Sequence, residues 1–158
     1  MVINMDHNGK ELALLISEKY KELYPKGGAL YFYSEGEKAD ISAILRNIYD
    51  NAVTNGVKAA YFSAPDFCER YVSSLVSNDK NWYEHTRKEL ELLIIDDLHV
   101  ISGKEATLEE LTMIMKHIID EQQGHVILGS HVLMNKLYGA PKELIALIEG
   151  HSFSVSLT

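Results

Sequence analysis

Leu92-Leu93-Ile94-Ile95-Asp96-Asp97-Leu98-His99-Val100-Ile101-Ser102-Gly103-Lys104-Glu105-Ala106-Thr107 is the stretch on which the reading of this chain turns. Four apolar residues, Leu92 to Ile95, run without alternation, the pattern of a central parallel strand covered on both faces. Asp96 and Asp97 follow at its carboxyl end. That edge of an open α/β sheet is where ligands bind, and adjacent carboxylates there are how P-loop nucleotidases hold magnesium and polarise water. The plainer alternative is that one aspartate caps the next turn while the other is solvated.

Upstream of the acid pair, Leu12, Leu15, Ile16, Tyr20 and Leu23 predict a helix over 10–24, ended by Pro25-Lys26-Gly27-Gly28. Ala29 to Tyr33 predicts a first strand, and the acidic turn Ser34-Glu35-Gly36-Glu37 follows it. Ile41, Ile44, Leu45 and Ile48 share one face of a helix over 38–54. Val57 to Ser63 predicts a second strand, and Ala64-Pro65-Asp66 opens a helix that turns Phe67, Tyr71, Val72 and Leu75 inward. The polar stretch 77–88, with Trp82 and Tyr83, predicts a further short helix. Downstream, Thr107 to Asp120 is amphipathic, with Leu108, Leu111, Ile114, Met115 and Ile118 on its inner face. His125 to Ser130 predicts a fourth strand, Pro141 to Glu149 a short helix, and Phe153 to Leu157 a fifth strand. Strands alternating with helices imply a parallel sheet with right-handed crossovers in one α/β domain over 1–158.

With 158 residues, 46% of them hydrophobic, the chain is the size of one ordinary domain. Its formal net charge of -8 argues against a free-standing nucleic-acid binder, because a phosphate backbone favours basic surfaces. Cys68 is the only cysteine, which leaves no disulfide framework within the chain and suits a reducing, cytoplasmic setting. A buried, inert thiol is its default role. No apolar run reaches membrane-spanning length, and no membrane partner is expected.

Asp96-Asp97 followed by Gly103, Lys104, Glu105, Thr107, Glu109 and Glu110 is similar to the Walker B strand and loop of the DnaA/Hda-like family of AAA+ replication initiators. Tyr61 to Phe67 resembles that family's second strand and the start of its initiator-specific helical insertion, here 64–90. Val126 to Ser130 resembles its sensor 1 strand. The resemblance covers about 27–158 and implies a P-loop NTPase-like three-layer sandwich with a five-stranded parallel sheet, without the family's helical lid.

The departures from the family bear on function. Its phosphate loop needs Gly-x-x-x-x-Gly-Lys-Ser/Thr, in which glycines let backbone N–H groups close around phosphate and the hydroxyl ligates magnesium. Here the turn reads Ser34-Glu35-Gly36-Glu37-Lys38-Ala39-Asp40. Lys38 aligns with the phosphate lysine, only Gly36 supplies backbone freedom, and Ala39 replaces the hydroxyl. Glu35, Glu37 and Asp40 bring negative charge to where phosphates would sit. The family's arginine finger has no counterpart in Ile148-Glu149-Gly150-His151-Ser152-Phe153, and Ser130-His131 stands where members often have Ser-Asp. The expectation is a pseudo-ATPase with no catalytic residue and a vestigial nucleotide site of Gly36, Lys38, Asp96, Asp97 and Ser130. It would take no cofactor, ATP and magnesium entering only if that site is functional.

The leading expectation is a module acting through protein contacts in DNA replication initiation or its regulation. Its partner would be an initiator, a helicase loader or another AAA+ subunit. One alternative is single-stranded DNA binding by Arg70, Lys80, Trp82, Arg87 and Lys88, since aromatic stacking beside basic residues suits single strands. Interleaved Asp66, Glu69, Asp79, Glu84, Glu89 and Glu91 oppose it. The other alternative is a weak nucleotidase using Lys38, Asp96 and Asp97. Seven histidines, among them His99 and His131, raise the question of metal, but none pairs at the i, i+4 spacing of a helical zinc site. No metal site is expected. Met113, Met115 and Met134 are expected to fill gaps in the core.

Overall fold

The computed structural model describes residues 2–4, 9–35, 40–78 and 89–150. Its strands are β1 (Val2–Asn4), β2 (Gly28–Tyr33), β3 (Ala59–Ser63), β4 (Leu92–Asp96) and β5 (His125–Ser130). Its helices are α1 (Gly9–Leu23), α2 (Ile41–Thr54), α3 (Ala64–Ser77), α4 (Glu105–Asp120) and α5 (Lys142–Glu149). Among the described residues the strands form one parallel sheet in the order β1-β2-β5-β4-β3. Four of these strands are those the sequence predicts. The expected fifth strand, Phe153 to Leu157, lies outside the described residues. Val2–Asn4 fills the fifth place instead, pairing with Tyr31, Phe32 and Tyr33. A three-residue strand is too short for periodicity to mark.

The unbroken apolar runs of the central strands are explained by what covers them. Leu93 and Ile95 of β4, Val126 and Leu128 of β5, and Ala29 and Tyr31 of β2 enter one core beneath α3, α4 and α5. Leu92, Ile94, Ile127, Leu30 and Phe32, which alternate with them, enter a second core beneath α1 and α2. This is the three-layer arrangement, and each fully buried Leu or Ile contributes about 1.5–3 kcal/mol by leaving water. On α1, Ile16 and Tyr20 are buried while Leu15 is exposed. The break after α1 depends on Gly27, at φ +89, where a Cβ would meet the Gly124 carbonyl oxygen at 2.6 Å. No described helix is long and apolar enough to cross a membrane.

Two helical expectations are corrected. Along α3 the buried residues are Ala64, Phe67 and Cys68, whereas Val72 and Leu75 are 48% and 63% exposed. Among the described residues β3 is the last strand of the sheet, so no described strand lies beyond it for the distal half of α3 to cover. Helical spacing identifies a face but not how far the partner surface extends. The five predicted inner residues of α4 are all fully buried, but Met113 is half exposed, so only Met115 and Met134 fill the core.

Candidate functional site

The carboxyl ends of β4 and β5 lie side by side and carry Asp96-Asp97 and Ser130-His131. Asp96 is 4% exposed. Its Oδ2 accepts the Tyr61 hydroxyl at 2.7 Å, and its Oδ1 accepts the backbone N–H of Asp97 at 2.8 Å. Tyr61 comes from β3, and the Arg46 guanidinium of α2 stands 5.0 Å from its ring centroid. Burial raises the Tyr61 pKa, and its hydrogen bond to the Asp96 carboxylate raises it further. Gly129 makes this packing possible, because a Cβ there would meet Leu45 Cδ1 at 2.6 Å, Ile41 Cγ2 at 2.9 Å and Asp96 Oδ1 at 3.1 Å.

Asp97 turns away from its neighbour. It adopts the left-handed conformation, φ 56 and ψ 39, and opens a 3-10 turn, Leu98–Ile101, whose Leu98 and Ile101 are buried. Aspartate is among the few side chains that tolerate that region, and non-glycine residues held there cluster at functional sites. The Asp97 carboxylate is partly exposed and lies 4.0 Å from His131 Nε2. His131 donates its backbone N–H to His99 Nδ1 at 3.2 Å, and the two rings meet edge to face with centroids 4.9 Å apart. Among the described residues, His131 Nδ1 is buried without a hydrogen-bond partner. Asp97, His99 and His131 thus each offer a ligand atom within 4.8 Å of the others. The sequence reading expected no metal site. The pair is invisible to a search for helical spacing, because it forms across the neighbouring ends of β4 and β5.

Ser130 is buried at the end of β5, its Oγ accepting the Val132 N–H at 3.2 Å. The Tyr31 hydroxyl donates to the Val132 carbonyl at 2.7 Å and so fixes the segment that carries His131. Of the proposed nucleotide-site residues, Asp96, Asp97 and Ser130 are therefore brought to one edge, while Gly36 and Lys38 lie outside the described residues. Where the phosphate loop would meet its helix, Asp40 caps α2, its Oδ1 accepting the Ala43 N–H at 3.1 Å.

Arg70 of α3 pairs with Asp66 at 3.4 Å and lies over the Phe62 ring at 5.2 Å. It is the one described member of the single-strand-binding set; Lys80, Trp82, Arg87 and Lys88 lie outside the described residues. Cys68 is buried, with Sγ 3.4 Å from Thr107 Oγ1 and 3.8 Å from Lys104 Nζ.

Comparison with known proteins agrees with this architecture. The profile of the bacterial DnaA ATPase domain matches residues 11–148. The chain is 29% identical over 141 residues to the chromosomal replication initiator protein DnaA of Aquifex aeolicus, covering 86% of this chain and 35% of that protein. It is 36% identical over 106 residues to the DnaA of Anaplasma marginale, covering 65% of this chain and 22% of that protein. The chain thus spans about a third or less of the length of these curated relatives. Among solved structures, the replication initiator DnaA bound to AMPPCP and single-stranded DNA is similar with a TM-score of 0.78 and 26% identity, over 92% of this chain and 44% of that one. The DnaC helicase loader shares the fold, with a TM-score of 0.60 and 17% identity over 94% of this chain and 90% of that one. This chain belongs to the bacterial DnaA ATPase domain family.

Proposed function

We propose that this protein is a DnaA-type module of replication initiation, or of its regulation, that acts through protein contacts rather than by turning over nucleotide. The observation that carries the reading is the Asp40 carboxylate on the first turn of α2. A helix N-terminus binds phosphate through free N–H groups and the positive end of its dipole. Here a side chain of the same chain supplies the anion, and Glu35 adds negative charge to the same turn. Asp96 supports the reading from the other side of the site. Both of its oxygens are engaged by the protein itself, one by the Tyr61 hydroxyl and one by the Asp97 N–H. Each bond takes one acceptor position of an oxygen that has two, which leaves Asp96 less available to a hydrated magnesium ion. A capped helix start and a partly engaged Asp96 support a reading without ATP and magnesium, and no step of the proposed function runs through them.

The partner class is another AAA+ subunit, an initiator or a helicase loader. Family membership motivates the choice of a replication protein as partner, and the net charge of -8 favours a protein over nucleic acid. Calorimetric titration with magnesium ATP and magnesium ADP tests the first half of the proposal, and sedimentation with the DnaA of the same organism tests the second. No heat at millimolar nucleotide together with a defined complex is the expected result. Micromolar ATP affinity abolished by Lys38→Ala would overturn the reading and restore a nucleotide switch.

A further inference from the structure

We infer that Asp97, His99 and His131 form a binding site for a divalent first-row transition-metal ion of the zinc or cobalt type. The site is distinct in chemistry from any magnesium site at the same edge. It offers two imidazole nitrogens and one carboxylate oxygen, all within 4.8 Å of one another. Imidazole suits zinc, cobalt and nickel, whereas magnesium demands oxygen ligands. In a tetrahedral zinc site with bonds of about 2.0–2.2 Å, ligand atoms stand roughly 3.3 Å apart. The three residues are only partly buried, and the closure from within 4.8 Å to that spacing is the adjustment that binding an ion requires.

Two features beyond composition point to a ligand. Asp97 is held in the left-handed region, uncommon for a residue other than glycine, with its carboxylate 4.0 Å from His131 Nε2. His99 Nδ1 acts as an acceptor toward the His131 N–H, so that nitrogen carries no proton, which is the form a metal requires. That hydrogen bond is a long one at 3.2 Å, and coordination by the same nitrogen would exchange it for a stronger bond. The ligand set also carries one negative charge with the imidazoles neutral, which attracts a dication. Three protein ligands leave a coordination position for water or an anion. The ion would tie the 3-10 turn after β4 to the segment after β5.

The proposal does not rest on the nucleotide reading and is tested without nucleotide. The full chain, freed of metal by chelator, is titrated with cobalt(II) and zinc(II), and with magnesium as control. Expected results are one equivalent bound with micromolar affinity, visible cobalt d–d absorption, a raised Tm, and no response to magnesium. His99→Gln and His131→Gln should each weaken binding by at least about tenfold, because loss of an outer-shell partner alone costs that much. His117→Gln should leave it unchanged. Because a variant can fail to fold, paramagnetic broadening by cobalt in the unsubstituted chain provides a second readout, expected at the backbone amides of Leu98 and Val132. The inference is overturned by the absence of binding at millimolar cobalt. It is equally overturned by binding that survives removal of both histidines, or by broadening confined to other parts of the chain.

Discussion

The Tyr61 hydroxyl donates to Asp96 Oδ2 across the β3–β4 pair at 2.7 Å, joining an edge strand to the most buried carboxylate of the site. Tyr61→Phe keeps the ring and removes the donor. A buried acceptor left without its partner costs about 1–3 kcal/mol, so the urea midpoint should fall by a corresponding amount with the m-value unchanged. A midpoint equal to that of the parent would mean that water replaces the hydroxyl.

Alkaline stability should follow the buried phenols. Burial pushes Tyr20 and Tyr31 up from 10.0 to about 12, and Tyr61 is raised as well. Between those limits the unfolded chain has lost protons that the folded chain keeps, so stability is intact below pH 10 and falls as pH rises toward 12. Tyrosinate absorbance and circular dichroism recorded together on base titration should change in one cooperative transition rather than in sequence.

On the acid side the expected contributor is His125. Burial lowers its pKa from 6.5, with Nε2 held 2.7 Å from the Tyr24 carbonyl. The unfolded chain then binds a proton that the folded chain resists. This contribution is complete above pH 6.5 and shrinks as pH falls toward the folded value. Thermal melts of the parent and His125→Asn across this window should show a shallower acid slope in the variant.

Gly129→Ala places a methyl group against Leu45, Ile41 and the Asp96 carboxylate. Overpacking of this kind costs typically about 1–3 kcal/mol. The loss should appear as a lowered Tm, and trimming Leu45 to Ala in the same chain should restore part of the room without restoring full stability.

Removing the cap of α2 is the gentlest of these changes. Asp40→Ala gives up the hydrogen bond to the Ala43 N–H and should cost about 1 kcal/mol, whereas Asp40→Ser should retain most of the stability. Chemical denaturation of the two variants side by side checks the ordering.

Much of the fold is legible in the sequence because its signals are local. The unbroken run Leu92 to Ile95 announces burial on both faces, and Leu92 with Ile94 and Leu93 with Ile95 do enter opposite cores. The inner face of α4 is equally plain, since a helix packed along its whole length repeats its pattern to the end. Val72 and Leu75 mislead because the same spacing continues where α3 has passed the last strand. The acid pair is visible because its members are adjacent. His99 and His131 are not visible, because 32 residues separate them and only the pairing of β4 with β5 brings them together.

The capping of α2 also changes how an anion would be recognised. Asp40 is covalently part of the helix it caps, so it meets the first-turn N–H groups as a tethered ligand, at an effective concentration of about millimolar or above. Any dissolved phosphate competes against that internal occupant and must displace it before making a contact. The attraction of the helix dipole for the Asp40 carboxylate thereby becomes a constant part of folding stability.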